Sequence, residues 1–149
     1  MTTYFYGRCS ADENFEKGSS IATQIERANA YAVIHNLKID KEISESISGS
    51  IRFANRPLGL ELMNDLKRDD HIICSALDRF SRNTLDLLQL IEKFKKMKVN
   101  LHFAEFGNVT SSSAMGSVFV KLLSVFAEFY SKQCSEKQTA TKQRLAKEG

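Results

Sequence analysis

Four times along its 149 residues the chain passes from a short apolar run to a longer stretch in which apolar residues recur every three or four positions. A short run must find a neighbouring strand for its backbone groups, and a three-to-four period must bury one stripe of a helix. Alternating both along one chain is satisfied by parallel strands joined by helices that cross the sheet. Residues 3–8 are short, aromatic and followed by polar residues, which predicts a first strand. Residues 19–36 carry Ile21, Ala22, Ile25, Ala28, Tyr31 and Ala32 on one helical face. A second strand is expected over 37–43 and a polar, Ser-rich mobile loop over 44–55. Pro57 suits a first helical position, and the helix it opens runs to about residue 67 with Leu58, Leu62 and Leu66 aligned. Residues 71–77 read as a buried parallel strand. A helix over 81–97 presents Leu85, Leu88, Ile91 and Phe94; a fourth strand over 99–104 and a Gly/Asn/Ser-rich loop over 107–113 follow. The expected fold is α/β, a mostly parallel four-to-five-stranded sheet flanked by helices.

From Ala114 to the end no proline occurs, and glycine occurs only at 116 and 149, which predicts one long helix. At 1.5 Å per residue a helix of about thirty residues spans ~45 Å, longer than the body it leaves. Met115, Phe119, Leu122 and Phe126 recur near a 3.5 period and are expected to form a helix–helix oligomer seam, the alternative being a core-facing first half followed by a solvated tail. The expected organisation is therefore a core over 1–113 and a long helix of the same domain over 114–149. The helix ends basic: Lys132, Lys137, Lys142, Arg144 and Lys147 face only Glu136 and Glu148 in the last eighteen residues. The whole chain carries net +3, so this end holds nearly all of the excess and points to a polyanionic partner.

With 42% hydrophobic and 26% charged residues the chain is neither disordered nor a disulfide scaffold. No unbroken apolar run approaches the ~20 residues of a membrane span, so no membrane is expected. Three scattered cysteines (Cys9, Cys74, Cys134) fit reduced thiols in the cytoplasm. His35, His71 and His102 stand apart without metal-ligand spacing.

In parallel sheets the chemistry sits beyond the carboxyl ends of the strands. There the chain delivers Arg8-Cys9-Ser10, then Ser48-Gly49 and Arg56-Pro57, then Asp78-Arg79-Phe80-Ser81-Arg82. Four guanidiniums without a ring of carboxylates suit a phosphate rather than a metal. A serine among them is placed to attack phosphorus while the arginines spread charge over the transition state. No GxxxxGK[ST] or GxGxxG loop is present, so nucleotide-triphosphate chemistry has no support.

These residues resemble the serine recombinase family, the resolvases and DNA invertases. Tyr4-Phe5-Tyr6-Gly7-Arg8-Cys9-Ser10 is similar to the family's opening Y-x-R-x-S, and Gln24 stands where it keeps a glutamine. Glu45-Ser46-Ile47-Ser48-Gly49 resembles its acidic-x-x-S-G, and Arg56-Pro57-Leu58 the head of its second helix. Lys67-Arg68-Asp69-Asp70 resembles its G-D turn without the glycine, and Leu77-Asp78-Arg79-Phe80-Ser81-Arg82-Asn83-Thr84 its L-D-R-x-x-R-x-T. The resemblance implies that Ser10 is the nucleophile on a DNA phosphodiester, leaving a 5′-phosphoserine and a free 3′-hydroxyl without metal, ATP or other cofactor. It implies that Arg8, Arg79 and Arg82 bind the scissile phosphate, Arg56 assists, Gln24 and Asp78 support, and Ser48 is a neighbour. It also implies a homodimer that becomes a tetramer on paired crossover sites, with Lys137, Lys142 and Arg144 on DNA. A C-terminal DNA-binding domain, absent from this chain, is expected to follow. A catalytically silent dimerisation or DNA-scaffold module of the same fold is the competing expectation.

Overall fold

The computed structural model describes residues 1–10, 20–110 and 114–148. The elements run β1 (Thr3–Cys9), α1 (Ile21–Ile34), β2 (Lys41–Ser46), a 3₁₀ turn (Phe53–Asn55), α2 (Pro57–Asp65), β3 (His71–Cys74), α3 (Leu77–Phe80), α4 (Thr84–Met97), β4 (Asn100–Phe103), β5 (Gly107–Asn108) and α5 (Ala114–Glu148). The sheet order is β2-β1-β3-β4-β5. Its first four strands are parallel and β5 is antiparallel to β4. The expected start of the first helix at Ser19, the end of the loop at 111–113, and Gly149 lie outside the described residues.

The strand period of two sorts side chains between two unequal cores. Phe5 and Ile73 face α1 and pack with Ala28, Tyr31 and Ala32. Tyr4, Tyr6, Ile72, Cys74, Leu101 and Phe103 face the other way, into a larger core with Phe53, Leu62, Phe80, Leu90 and Phe94. Aromatic rings dominate it: Phe53 and Phe80 stack at 4.2 Å, and Tyr6 meets Phe53 edge-on at 4.9 Å.

Three boundaries differ from the sequence expectation. The second strand begins at Lys41 rather than Leu37. Asn36, with φ +56°, ends α1 in the left-handed region, and Leu37 N–H returns to Ala32 O. Leu37 and Ile39 alternate like a strand but serve only as packing against the α1-side core. Pairing starts once Asp40 has bonded Thr3, its carboxylate taking the Thr3 N–H at 2.9 Å. The third strand stops at Cys74 and is followed by the short α3, and the helix expected from Ser81 begins only at Thr84 as α4. Asn83 caps α4 by accepting the Asp86 N–H, so the buried stripe is Leu87, Leu90, Ile91 and Phe94, with Leu85 exposed. The expected mobile loop contains half of β2 and the 3₁₀ turn.

α5 lies on α4 and β5 with its first four turns. Phe119 and Leu123 join the larger core and Ala127 is buried, so Phe119 belongs to the body and not to the expected seam. The reason is the helical period: 119, 123 and 127 lie on one face, whereas Met115, Leu122 and Phe126 fall beside it and are exposed. With Val118, Val125, Phe129 and Tyr130 they form a broad uncovered apolar surface. By length and average composition this helix is apolar enough to cross a membrane, although it holds no long unbroken apolar run.

Candidate active site

β1 ends at Cys9, so Ser10 stands at the carboxyl edge of a central strand, half-buried. The backbone just before it is held from α1. Gln24, itself buried, accepts the Arg8 N–H at 3.2 Å and donates to the Arg8 carbonyl at 3.0 Å. One amide side chain thus completes the strand as a neighbouring strand would.

Arg8 is fully buried. Its two terminal nitrogens donate to the carbonyls of Ile47 and Asp78, both at 3.1 Å, tying the β2 loop to the β3 loop. Arg79 Nη1 donates to the Arg8 carbonyl at 3.3 Å, and Arg79 Nε lies 3.6 Å from the half-exposed Asp78 carboxylate. Arg82 is exposed and lies against Gly49. A Cβ there would stand 2.6 Å from Arg82 Nε and 2.9 Å from Arg8 Nη2, so the absent side chain lets two guanidiniums approach one point. Ser48, on the same loop, is exposed and shares its hydroxyl with Ser50 at 2.8 Å.

Arg56 takes a position the sequence did not suggest. It is fully buried one layer behind the crevice, donating to the Ile51 carbonyl (3.0 Å), the Arg79 carbonyl (3.0 Å) and Tyr6 Oη (3.1 Å). Tyr6 in turn donates to the buried Glu45 carboxylate, whose other oxygen accepts the Leu58 N–H at the start of α2. Burial, and then the Glu45 hydrogen bond, push the Tyr6 phenol far above its ordinary range, so it stays protonated and keeps donating. Tyr6 and Glu45 were not picked out from the sequence. The signal was present: Tyr4, Tyr6 and Arg8 alternate onto one face of β1, and Glu45 pairs in register with Arg8.

The structure therefore joins Arg8, Gln24, Asp78 and Arg79 directly, sets Arg82 against Arg8 at Gly49, and uses Arg56 as a strut. Arg8 donates to backbone carbonyls and Arg79 lies against Asp78, and guanidiniums gathered in this way suit an incoming anion. Lys137, Lys142 and Arg144 are exposed on α5 beyond Ala127. At 1.5 Å per residue they lie about 15 to 26 Å further along that helix. Among the described residues no three His, Cys, Asp or Glu side chains gather as metal ligands would.

The site thus sets a strand-end serine two residues after the gripped Arg8, in an α/β sheet with a long final helix. The family model for the resolvase N-terminal domain matches residues 3–149, and the chain belongs to that family. The Tn917 resolvase of Enterococcus faecalis is 31% identical over 123 residues, 83% of this chain and 59% of that protein. The Tn2501 resolvase of Escherichia coli is 29% identical over 107 residues, 72% of this chain and 55% of that protein. The chain thus spans little more than half the length of these relatives. Among solved structures, the N-terminal catalytic domain of TP901-1 integrase superposes with a TM-score of 0.73 at 29% identity, covering 89% of this chain and 98% of that one. A resolvase family site-specific recombinase from Streptococcus pneumoniae has the same fold, with a TM-score of 0.72 at 22% identity over 99% of both chains.

Proposed function

We propose that this chain is the catalytic part of a site-specific DNA recombinase acting in the cytoplasm. Ser10 Oγ attacks a phosphodiester phosphorus. The new O–P bond replaces the P–O3′ bond, Ser10 loses its proton, and the 3′-oxygen leaves as a hydroxyl. The product is a 5′-phosphoserine, which keeps the ester's energy, so rejoining is the reverse attack by a 3′-hydroxyl of the new partner strand. The chemistry calls for no metal ion and no ATP.

The observation that carries this reading is the grip on Arg8. Gln24 fixes its backbone, Arg79 joins its carbonyl, and its side chain bridges two loops, all two residues before Ser10. Such preorganisation serves a group that must meet a phosphate in line. Arg8, Arg79 and Arg82 take the non-bridging oxygens. Arg56, held by Tyr6, keeps the Arg79 backbone in place, and Asp78 orients Arg79. Ser48 borders the crevice. The uncovered apolar surface of α5, with Met115, Leu122 and Phe126, forms the dimer and tetramer contacts. The basic end of α5 lies along duplex DNA at the crossover site.

Covalent trapping tests it. Duplexes from the DNA flanking the chain's own reading frame, carrying a bridging phosphorothiolate at candidate crossovers, are incubated with the protein in EDTA. A protein–DNA adduct on a denaturing gel that disappears in Ser10→Ala is the expected result. Binding to the same duplexes with no adduct supports the silent scaffold instead.

A further inference from the structure

The β2 loop and the segment leading into α4 are tied together ahead of Arg82: Arg8 bridges Ile47 and Asp78, and Arg56 bridges Ile51 and Arg79. A further tie lies beyond Arg82. Arg52, the residue after Ile51, donates from Nε to the Asp86 carboxylate at 3.2 Å and from Nη2 to Gln89 Oε1 at 2.9 Å. The other Asp86 oxygen accepts from Ser81 Oγ at 3.3 Å, and Ser81 directly precedes Arg82 in the chain. Gly49, shortly before Arg52, is the point where Arg82 approaches Arg8. The contacts close a ring: along the loop from Gly49 to Arg52, across to Asp86, back to Ser81, and through Arg82 to Gly49 again.

Asp86 is a costly residue for its place. It stands in the first turn of α4 beside the buried Leu87 and is itself 4% exposed, so its charge carries a desolvation penalty that an apolar side chain would avoid. The helix does not need it as a cap, since Asn83 caps α4. Arg52 reaches it from the surface with 55% of its side chain exposed, so the pair adds little to stability. What the pair does is fix two segments relative to each other. We propose that Arg52 and Asp86 are positioning residues that hold Arg82 at the Gly49 focus from the side that Arg8 and Arg56 do not reach. This goes beyond the recombinase reading and rests on it. Neither residue takes a phosphate oxygen; both act through Arg82, whose donors must already face the phosphate as the bond to Ser10 forms.

The test is single-turnover adduct formation by the full chain on phosphorothiolate duplexes that trap the wild type, read as a maximal rate and a half-saturating DNA concentration. Arg52→Ala and Asp86→Asn are each expected to lower the maximal rate roughly tenfold, with half-saturation within about twofold of the parent. The double variant is expected to be no slower than either. Arg52→Lys keeps a cation for Asp86 and is expected to recover most of the rate. In Gly49→Ala, where the added methyl displaces Arg82, Arg52→Ala is expected to cost nothing further. Parental maximal rates in both single variants overturn the proposal. So does a full further loss in the Gly49→Ala background, or a loss equal to the unfolded fraction measured in parallel by circular dichroism. A rise in half-saturation alone makes Arg52 a DNA contact and overturns it too. Each of these outcomes leaves the recombinase reading standing, whereas a wild-type chain that forms no adduct on any duplex overturns both.

Discussion

Gly49 shows how much one absent side chain decides. The loop after β2 passes so close to Arg8 and Arg82 that a methyl group would meet Arg82 at 2.6 Å. Arg82 is exposed and can swing away, so the backbone tolerates the change while the guanidiniums lose their common focus. Gly49→Ala is therefore expected to leave the melting temperature within about 1 °C of the parent, a surface-scale change. It is expected to slow single-turnover adduct formation roughly a hundredfold, the cost of misplacing a reacting group by about 1 Å. Unchanged cleavage would show that Arg82 does not act at this point. At this scale the sequence was a partial guide. Arg8, Gln24 and Arg79 meet around the Arg8 backbone, two residues before Ser10. Arg56 was not legible as a strut, because an arginine in a polar loop reads as exposed, and only the folded chain supplies the three oxygens that let it be buried.

At the scale of the element, helix ends explain both what was legible and what was not. α4 was readable from its apolar period, yet its start was misplaced by three residues. The Asn83 cap competes with Ser81 for that role, and Ser81 instead bonds the Asn83 carbonyl and the buried Asp86 carboxylate. β2 was misplaced because its sequence, KEISES, is polar and lies at a sheet edge, while the apolar alternation just before it serves packing. β5, two residues long, is too short for any periodicity. The far end of α4 carries a testable strain. Lys98 closes it with φ +58° and ψ +41°, a left-handed conformation that suits glycine better than lysine. Lys98→Gly is expected to stabilise the chain by roughly 0.5–1 kcal/mol, the left-handed penalty less glycine's extra chain entropy. Urea denaturation of the two proteins measures it, and a destabilised variant would show that the lysine side chain contributes more than its backbone costs.

Across the whole molecule, one polar chain runs through the α1 side of the sheet. Tyr31 Oη meets His102 Nδ1 at 2.9 Å, and His102 Nε2 meets His71 Nδ1 at 2.8 Å, linking α1, β4 and β3. Burial, with His71 and His35 nearby, pushes His102 down to about 3, so it is neutral in the folded chain. Unfolded, it takes up a proton near pH 6.5. Between those values the unfolded chain binds more protons, so the stabilisation is complete above pH 6.5 and is lost as pH falls toward 3. Unfolding free energy is expected to drop by up to ~1.4 kcal/mol per pH unit from this one group below pH 6. His102→Gln keeps polar contacts to both neighbours without titrating, and urea melts between pH 5 and 7 should show a shallower slope. An identical slope in the variant would place the acid sensitivity elsewhere.

The strand order has a consequence for how the chain is made. β1, the most aromatic strand, sits between β2 and β3, and its pairing of Thr3 with His71 joins residues 68 apart. At roughly 5–20 residues per second of synthesis, that partner follows about 3 to 14 s after the strand itself. Until then Tyr4, Phe5 and Tyr6 have no second neighbour to cover them, and a nascent chain bearing them exposed is a natural client for a holding chaperone.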